Sequence, residues 1–141
     1  MSKMQRDKGA RYERLISKVL SKLFPDARRG NQKMGAFQPD IVIPTYWVEC
    51  THGKTPRVYS KIKQANKDLT ACDIEHRGKI PLIIHRKNNG EDYVTIELDH
   101  FMELLEDRKA LWSGDSGPYH LQPKRCEEYF GHSSYYEPPS S

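Results

Sequence analysis

The order of patterns along this chain predicts an α/β domain with a mixed central β-sheet flanked by helices. Three observations predict it. An amphipathic stretch of helical period lies near the N-terminus. Two apolar, strand-like runs follow, joined by Pro44-Thr45. A second helical stretch then leads into two further strand-like runs and a short helix.

Residues 8–24 carry Tyr12, Leu15, Ile16, Val19, Leu20, Leu23 and Phe24 at three- and four-residue spacing, with Arg11, Arg14, Lys18 and Lys22 on the other side. That is one apolar stripe on a helix, stopped by Pro25. Residues 26–37 are basic and contain glycine, which suits a short strand and a loop. Pro39 to Ile43 reads as a strand, Pro44-Thr45 as a turn, and Tyr46 to Thr51 as its hairpin partner. His52 to Pro56 reads as a loop. Residues 57–71 read as a helix with Val58, Ile62, Ala65 and Leu69 inward. Ile80 to His85 is an apolar strand expected to be buried on both faces. Asn88-Asn89-Gly90 is a turn signal, and Tyr93 to Leu98 alternates as the next strand. Asp99 is placed to cap a short helix carrying Phe101, Met102, Leu104 and Leu105. These elements define a domain over residues 1–112. Residues 113–141 are rich in Gly, Pro, Ser and Tyr and read as a loosely ordered tail.

Composition narrows the function classes. The 141 residues suit one domain. No apolar run approaches the roughly 20 residues of a membrane helix, and the first eight residues have no signal-peptide character. A cytoplasmic location is expected. Cys50, Cys72 and Cys126 are too few and too scattered for a disulfide framework. Cys50-x-His52 and Cys72-x3-His76 lack the second halves of zinc sites. Charge is uneven: residues 1–67 hold 15 Lys/Arg against 5 Asp/Glu, a net of +10, and the remainder carries −6. Such an excess points to a polyanionic partner, nucleic acid foremost, or else to a solvated basic face.

Asp40 and Glu49 carry the chemistry. They stand on adjacent expected strands across a tight turn, each beside apolar neighbours. Two carboxylates held at the edge of a core lose hydration and repel each other, so the pair needs a cation or a proton. Mg²⁺, with Mn²⁺ as a substitute, binds through one or two carboxylates plus substrate phosphate. The plainer alternative has Asp40 ordering the turn and Glu49 pairing with a nearby lysine.

Pro39-Asp40, eight residues, then Glu49-x-Thr51 resembles the PD-(D/E)xK nuclease signature. Lys8 to Arg14, with Glu13, resembles the opening helix of Holliday-junction-resolvase-like members. Trp47 to Pro56 resembles the central segment of phage-encoded nucleases of that group, and the likeness extends over residues 8–105. The resemblance implies a restriction-endonuclease-like core and a metal-dependent DNA endonuclease acting on branched DNA, as a homodimer in related resolvases. It implies metal ligation by Asp40, Glu49 and the backbone carbonyl of Cys50, with Glu13 as an auxiliary acid and Gln64 at the metal-bound water or the DNA. Read without it, Glu13 is a surface acid beside Arg11 or Arg14 and Gln64 a solvated helix residue.

The sequence departs from the signature at Thr51, where lysine is usual. Strand alternation puts Thr51 on the same face as Glu49, but a hydroxyl lacks the positive charge that stabilises a developing phosphorane. Lys54, from the following loop, is the first candidate replacement; Lys61 or Lys63 could instead reach in from the helix as a relocated lysine, Lys63 being the second choice, and without such a replacement the site is weak or inactive. Arg28, Arg29, Lys33, Arg57, Lys61 and Lys67 are the expected DNA contacts, aimed at phosphates. Three classes stay open: an active endonuclease, a catalytically silent DNA-binding module, and a protein-interaction domain.

Overall fold

The computed structural model describes residues 2–31, 37–72 and 74–112. Lys33 and residues 113–141 lie outside them. The chain forms α1 (Lys3–Leu20), β1 (Arg28–Arg29), β2 (Ile41–Val42), β3 (Tyr46–Gly53), α2 (Val58–Ala71), β4 (Ile80–Lys87), β5 (Asp92–Ile96) and α3 (Leu98–Trp112). It is an α/β protein with a mixed sheet of order β1-β2-β3-β4-β5. Two compact units divide between Thr95 and Ile96.

In the first unit the antiparallel run β1-β2-β3 turns parallel at β3-β4, because α2 carries the chain back across the sheet between them. Alternation along β3 divides the core. Val48 and Cys50 point to one face and pack with Tyr12 and Ile16 of α1, together with Ile41, Ile43 and Ile84. Trp47 points to the other and packs with Ala65, Leu69 and Cys72 from α2 and its end. Helices therefore cover both faces of the central strands.

Several boundaries differ from the expected ones. Helix α1 begins five residues earlier, at Lys3, because Ser2 and Gln5 form a reciprocal capping box; it ends at Leu20, leaving Leu23 exposed. Strand β3 continues through His52 and Gly53, held by its ladder with Arg86 and Lys87 of β4. Strand β4 is only partly buried at Leu82 and His85. The β2–β3 turn places Thr45 at φ 72°, an uncommon conformation for a branched residue; its carbonyl accepts the Ile80 N–H at 2.8 Å.

In the second unit, α3 starts at Leu98 and runs to Trp112. Asp99 thus lies inside the first turn rather than at the cap, where its charge complements the helix dipole. Among the described residues, no helix is long and apolar enough to cross a membrane.

Candidate functional site

The register of β2 with β3 pairs Ile41 with Val48 and Val42 with Trp47. Continued by one residue, it sets Asp40 opposite Glu49. Two features fix Asp40. Gly30 donates its N–H to the Asp40 carbonyl at 2.9 Å, and the Cys50 N–H donates to Asp40 Oδ2 at 2.9 Å. Gly30 is required here: a Cβ on it would fall 1.9 Å from the Pro39 carbonyl oxygen.

Glu49 is buried on the α2 side of β3. Its Oε1 accepts the Trp47 indole N–H at 2.9 Å, and its Oε2 accepts from Lys61 Nζ at 3.3 Å. The same Lys61 ammonium lies 3.7 Å from Asp40 Oδ2. The carboxylates are 8% and 6% exposed as whole residues, so the ammonium is their close counter-charge in a poorly hydrated place.

Burial, and then the charge of Asp40 and a hydrogen bond with it, push the Glu49 carboxyl up to about 8, against Lys61 and Trp47. Burial pulls Lys61 down, yet Asp40 and Glu49 outweigh it and raise the ammonium's proton affinity. Glu13 is raised by burial and by Asp40, while Arg29 opposes the rise. The Cys50 thiol is driven well up by burial and by the surrounding acids, so it is a neutral core side chain.

The structure thus gathers Asp40, Glu49 and Lys61, with Glu13 close enough for its charge and that of Asp40 to interact. Glu13 Oε2 accepts from Arg29 Nε and Nη2 at 3.0 and 2.7 Å. Arg29, expected on phosphate, is therefore the partner of this acid. Cys50 meets the site through its N–H, which donates to Asp40 Oδ2. Thr51 Oγ1 accepts the Arg57 N–H at 3.4 Å, at the entrance to α2.

The two lysines placed first as replacements lie elsewhere. Lys63 is exposed, its ammonium 5.1 Å from the Tyr59 ring centre, and Lys54 is exposed on the loop. Lys61 is the lysine that lies beside both carboxylates. The buried residues of α2 are Ala65 and Asp68, and one turn before Ala65 comes Lys61, whereas Lys63 points away. That spacing was the available signal for choosing Lys61. Gln64 is exposed and donates to the buried Asp68 at 2.8 Å. Trp47, whose indole N–H is bound to Glu49, is the polar participant that residue type alone did not single out. Arg28 pairs with Glu75 at 3.6 Å, and Arg57 and Lys67 are exposed.

Among the described residues, no group of three His, Cys, Asp or Glu side chains is arranged to hold a metal ion. The donor set is the pair Asp40 and Glu49. Asp40 and Glu49 supply two oxygen donors, which fit magnesium once Glu49 gives up its proton, since that ion keeps several waters and completes its shell on phosphate. In comparisons with known proteins, no family model, no curated protein and no solved structure matches the chain.

Proposed function

We propose that the chain is a metal-dependent DNA endonuclease with a restriction-endonuclease-like core, hydrolysing phosphodiester bonds with a preference for branched substrates. The observation that carries this reading is the buried Asp40–Glu49 pair converging on the Lys61 ammonium, at 3.7 and 3.3 Å. The likeness of Pro39-Asp40 and Glu49-x-Thr51 to the nuclease signature supports it, because Lys61 supplies from α2 the cation that Thr51 does not.

Asp40 and Glu49 would hold a magnesium ion in this reading. When bound, that ion supplies positive charge to the scissile phosphate and makes a water more acidic. Asp40 is oriented for the task by the Cys50 N–H, and Glu49 by the Trp47 indole. Lys61, on a flexible stem, neutralises charge as the water oxygen bonds to phosphorus and the bond to the leaving oxygen breaks. Glu13, anchored by Arg29, is the auxiliary acid that orients the water.

The test uses purified protein with labelled four-way junction and linear duplex, with Mg²⁺, with Mn²⁺ and with chelator. Cleavage that needs the metal and disappears in Asp40→Ala and Glu49→Ala is the expected result. Lys61→Gln lowers the cleavage rate about 100-fold or more, in the range for loss of one electrostatic contact to the transition state, while Lys54→Ala and Lys63→Ala cleave nearly as the parent. Binding without cleavage under either metal would overturn the catalytic reading and leave a silent DNA-binding module.

A further inference from the structure

Away from the carboxylate pair, a groove of about 740 Å³ opens along α1. Lys3, Lys8, Arg11 and Arg86 line it, with Asp7 the only acid among the lining residues. Lys3 and Arg11 are exposed, whereas Lys8 donates to Asn88 and Arg86 is held by Asp92 at 2.7 Å. Lys8 and Arg86 are thereby fixed as part of the wall, and Lys3 and Arg11 stand open to solvent. The rest of the lining is apolar or aromatic: Met4, itself 78% exposed, Leu15, and the His52 ring against Tyr12.

We propose that this groove binds a single-stranded segment of nucleic acid, its phosphates on Lys3 and Arg11 and an unpaired base on the Met4–His52 floor. Cations at the rim and an apolar, ring-bearing floor are the two parts that sequence-tolerant single-strand binding requires. A duplex presents only phosphates to such a rim, since its bases are stacked inside. Lys3 and Arg11 are eight positions apart, about 12 Å along the helix, which suits a short run of nucleotides. The choice of nucleic acid over an acidic peptide rests on the proposed phosphodiester chemistry, because α1 carries Arg11 on the groove side and Glu13 toward Asp40. The groove then makes the preferred substrate one with an unpaired arm.

The experiment is fluorescence anisotropy of a labelled twelve-residue oligothymidine and of a blunt hairpin duplex with the full chain in chelator, so that cleavage plays no part. Lys3→Ala with Arg11→Ala is expected to weaken oligothymidine binding tenfold or more at low salt. It also flattens log K against log salt by about 1.4, the value for two lost contacts to a single strand. Met4→Ser, which removes the apolar contact without adding charge, weakens oligothymidine binding several-fold and leaves the duplex nearly unchanged. All three side chains are exposed, and circular dichroism checks the fold. Parent-like oligothymidine binding by the double variant would overturn the proposal, as would equal losses for both probes, or displacement of oligothymidine by polyglutamate at equal charge concentration. Asp40→Ala keeps oligothymidine binding if the groove acts as proposed. A parent that binds oligothymidine through the groove but never cleaves overturns the nuclease reading alone; cleavage with no effect of the groove variants overturns the groove alone.

Discussion

Asp40 and Glu49 share one ammonium where water is scarce, and the proton affinity of Glu49 records the cost. Free of the fold, a glutamate titrates near 4.5; here burial, and then Asp40, hold its proton to about 8. The folded chain therefore binds more protons than the unfolded chain between those values. The stabilising contribution of Glu49 is fully present below the lower value and is lost as pH rises through the upper one. In chelator, the urea midpoint is expected to fall from about pH 5 to about pH 9, and Glu49→Gln, which does not titrate, flattens that fall. A parent midpoint that rose over the same range would refute the assignment. The two carboxylates were legible in the sequence because apolar neighbours, a turn and strand alternation constrain them together. Lys61 was less so: its place one turn before Ala65 puts it on the inward side of α2, but a lysine is not an apolar residue and so falls outside the stripe by which that side was drawn.

At the scale of elements, the site depends on how closely the backbone of β1 approaches the segment leading into β2. Gly30→Ala drives a Cβ into the Pro39 carbonyl, a backbone atom that cannot swing aside, and this disturbs the strand entry that holds Asp40. Stability should fall by about 1–3 kcal/mol, the range for overpacking, with weaker Mg²⁺ binding by calorimetry. Gly9, inside α1 with open space around its Cβ position, gives the opposite sign: Gly9→Ala should raise stability by about 1 kcal/mol in the same urea titration. Nothing in the sequence around Gly30 distinguished a loop glycine from one demanded by close approach, since the neighbour it meets is nine residues away. The early start of α1 had a signature, Ser2-x-x-Gln5, but residues 3–7 lack the apolar stripe by which the helix was placed. Strands β2 and β3 were legible because their turn and apolar runs agree.

For the whole molecule, alternation of helical and strand periods was enough to give the α/β class and the mixed sheet. The basic excess of the first half was legible as a quantity but not as a place. Sequence reasoning aimed it at Arg28, Arg29, Lys33, Arg57, Lys61 and Lys67, yet Arg29 and Lys61 are bound to acids, and the exposed Lys3 and Arg11 border the α1 groove. Because Lys61 balances the carboxylates from within, the fold does not wait for a metal. Chelator should leave the circular dichroism spectrum unchanged, unlike domains whose folding free energy is supplied by metal binding; unfolding by chelator alone would count against Lys61 as the resident counter-charge. The hydrogen bond from Trp47 to Glu49 has an optical consequence as well. This indole is fully buried, and its excited-state dipole senses the charge on the carboxylate it touches. The chain has two tryptophans, so Trp112→Phe leaves one lamp inside the site. Its emission should shift when Mg²⁺ is added and stay still in the Glu49→Gln background, which turns ion occupancy into a colour change readable in real time.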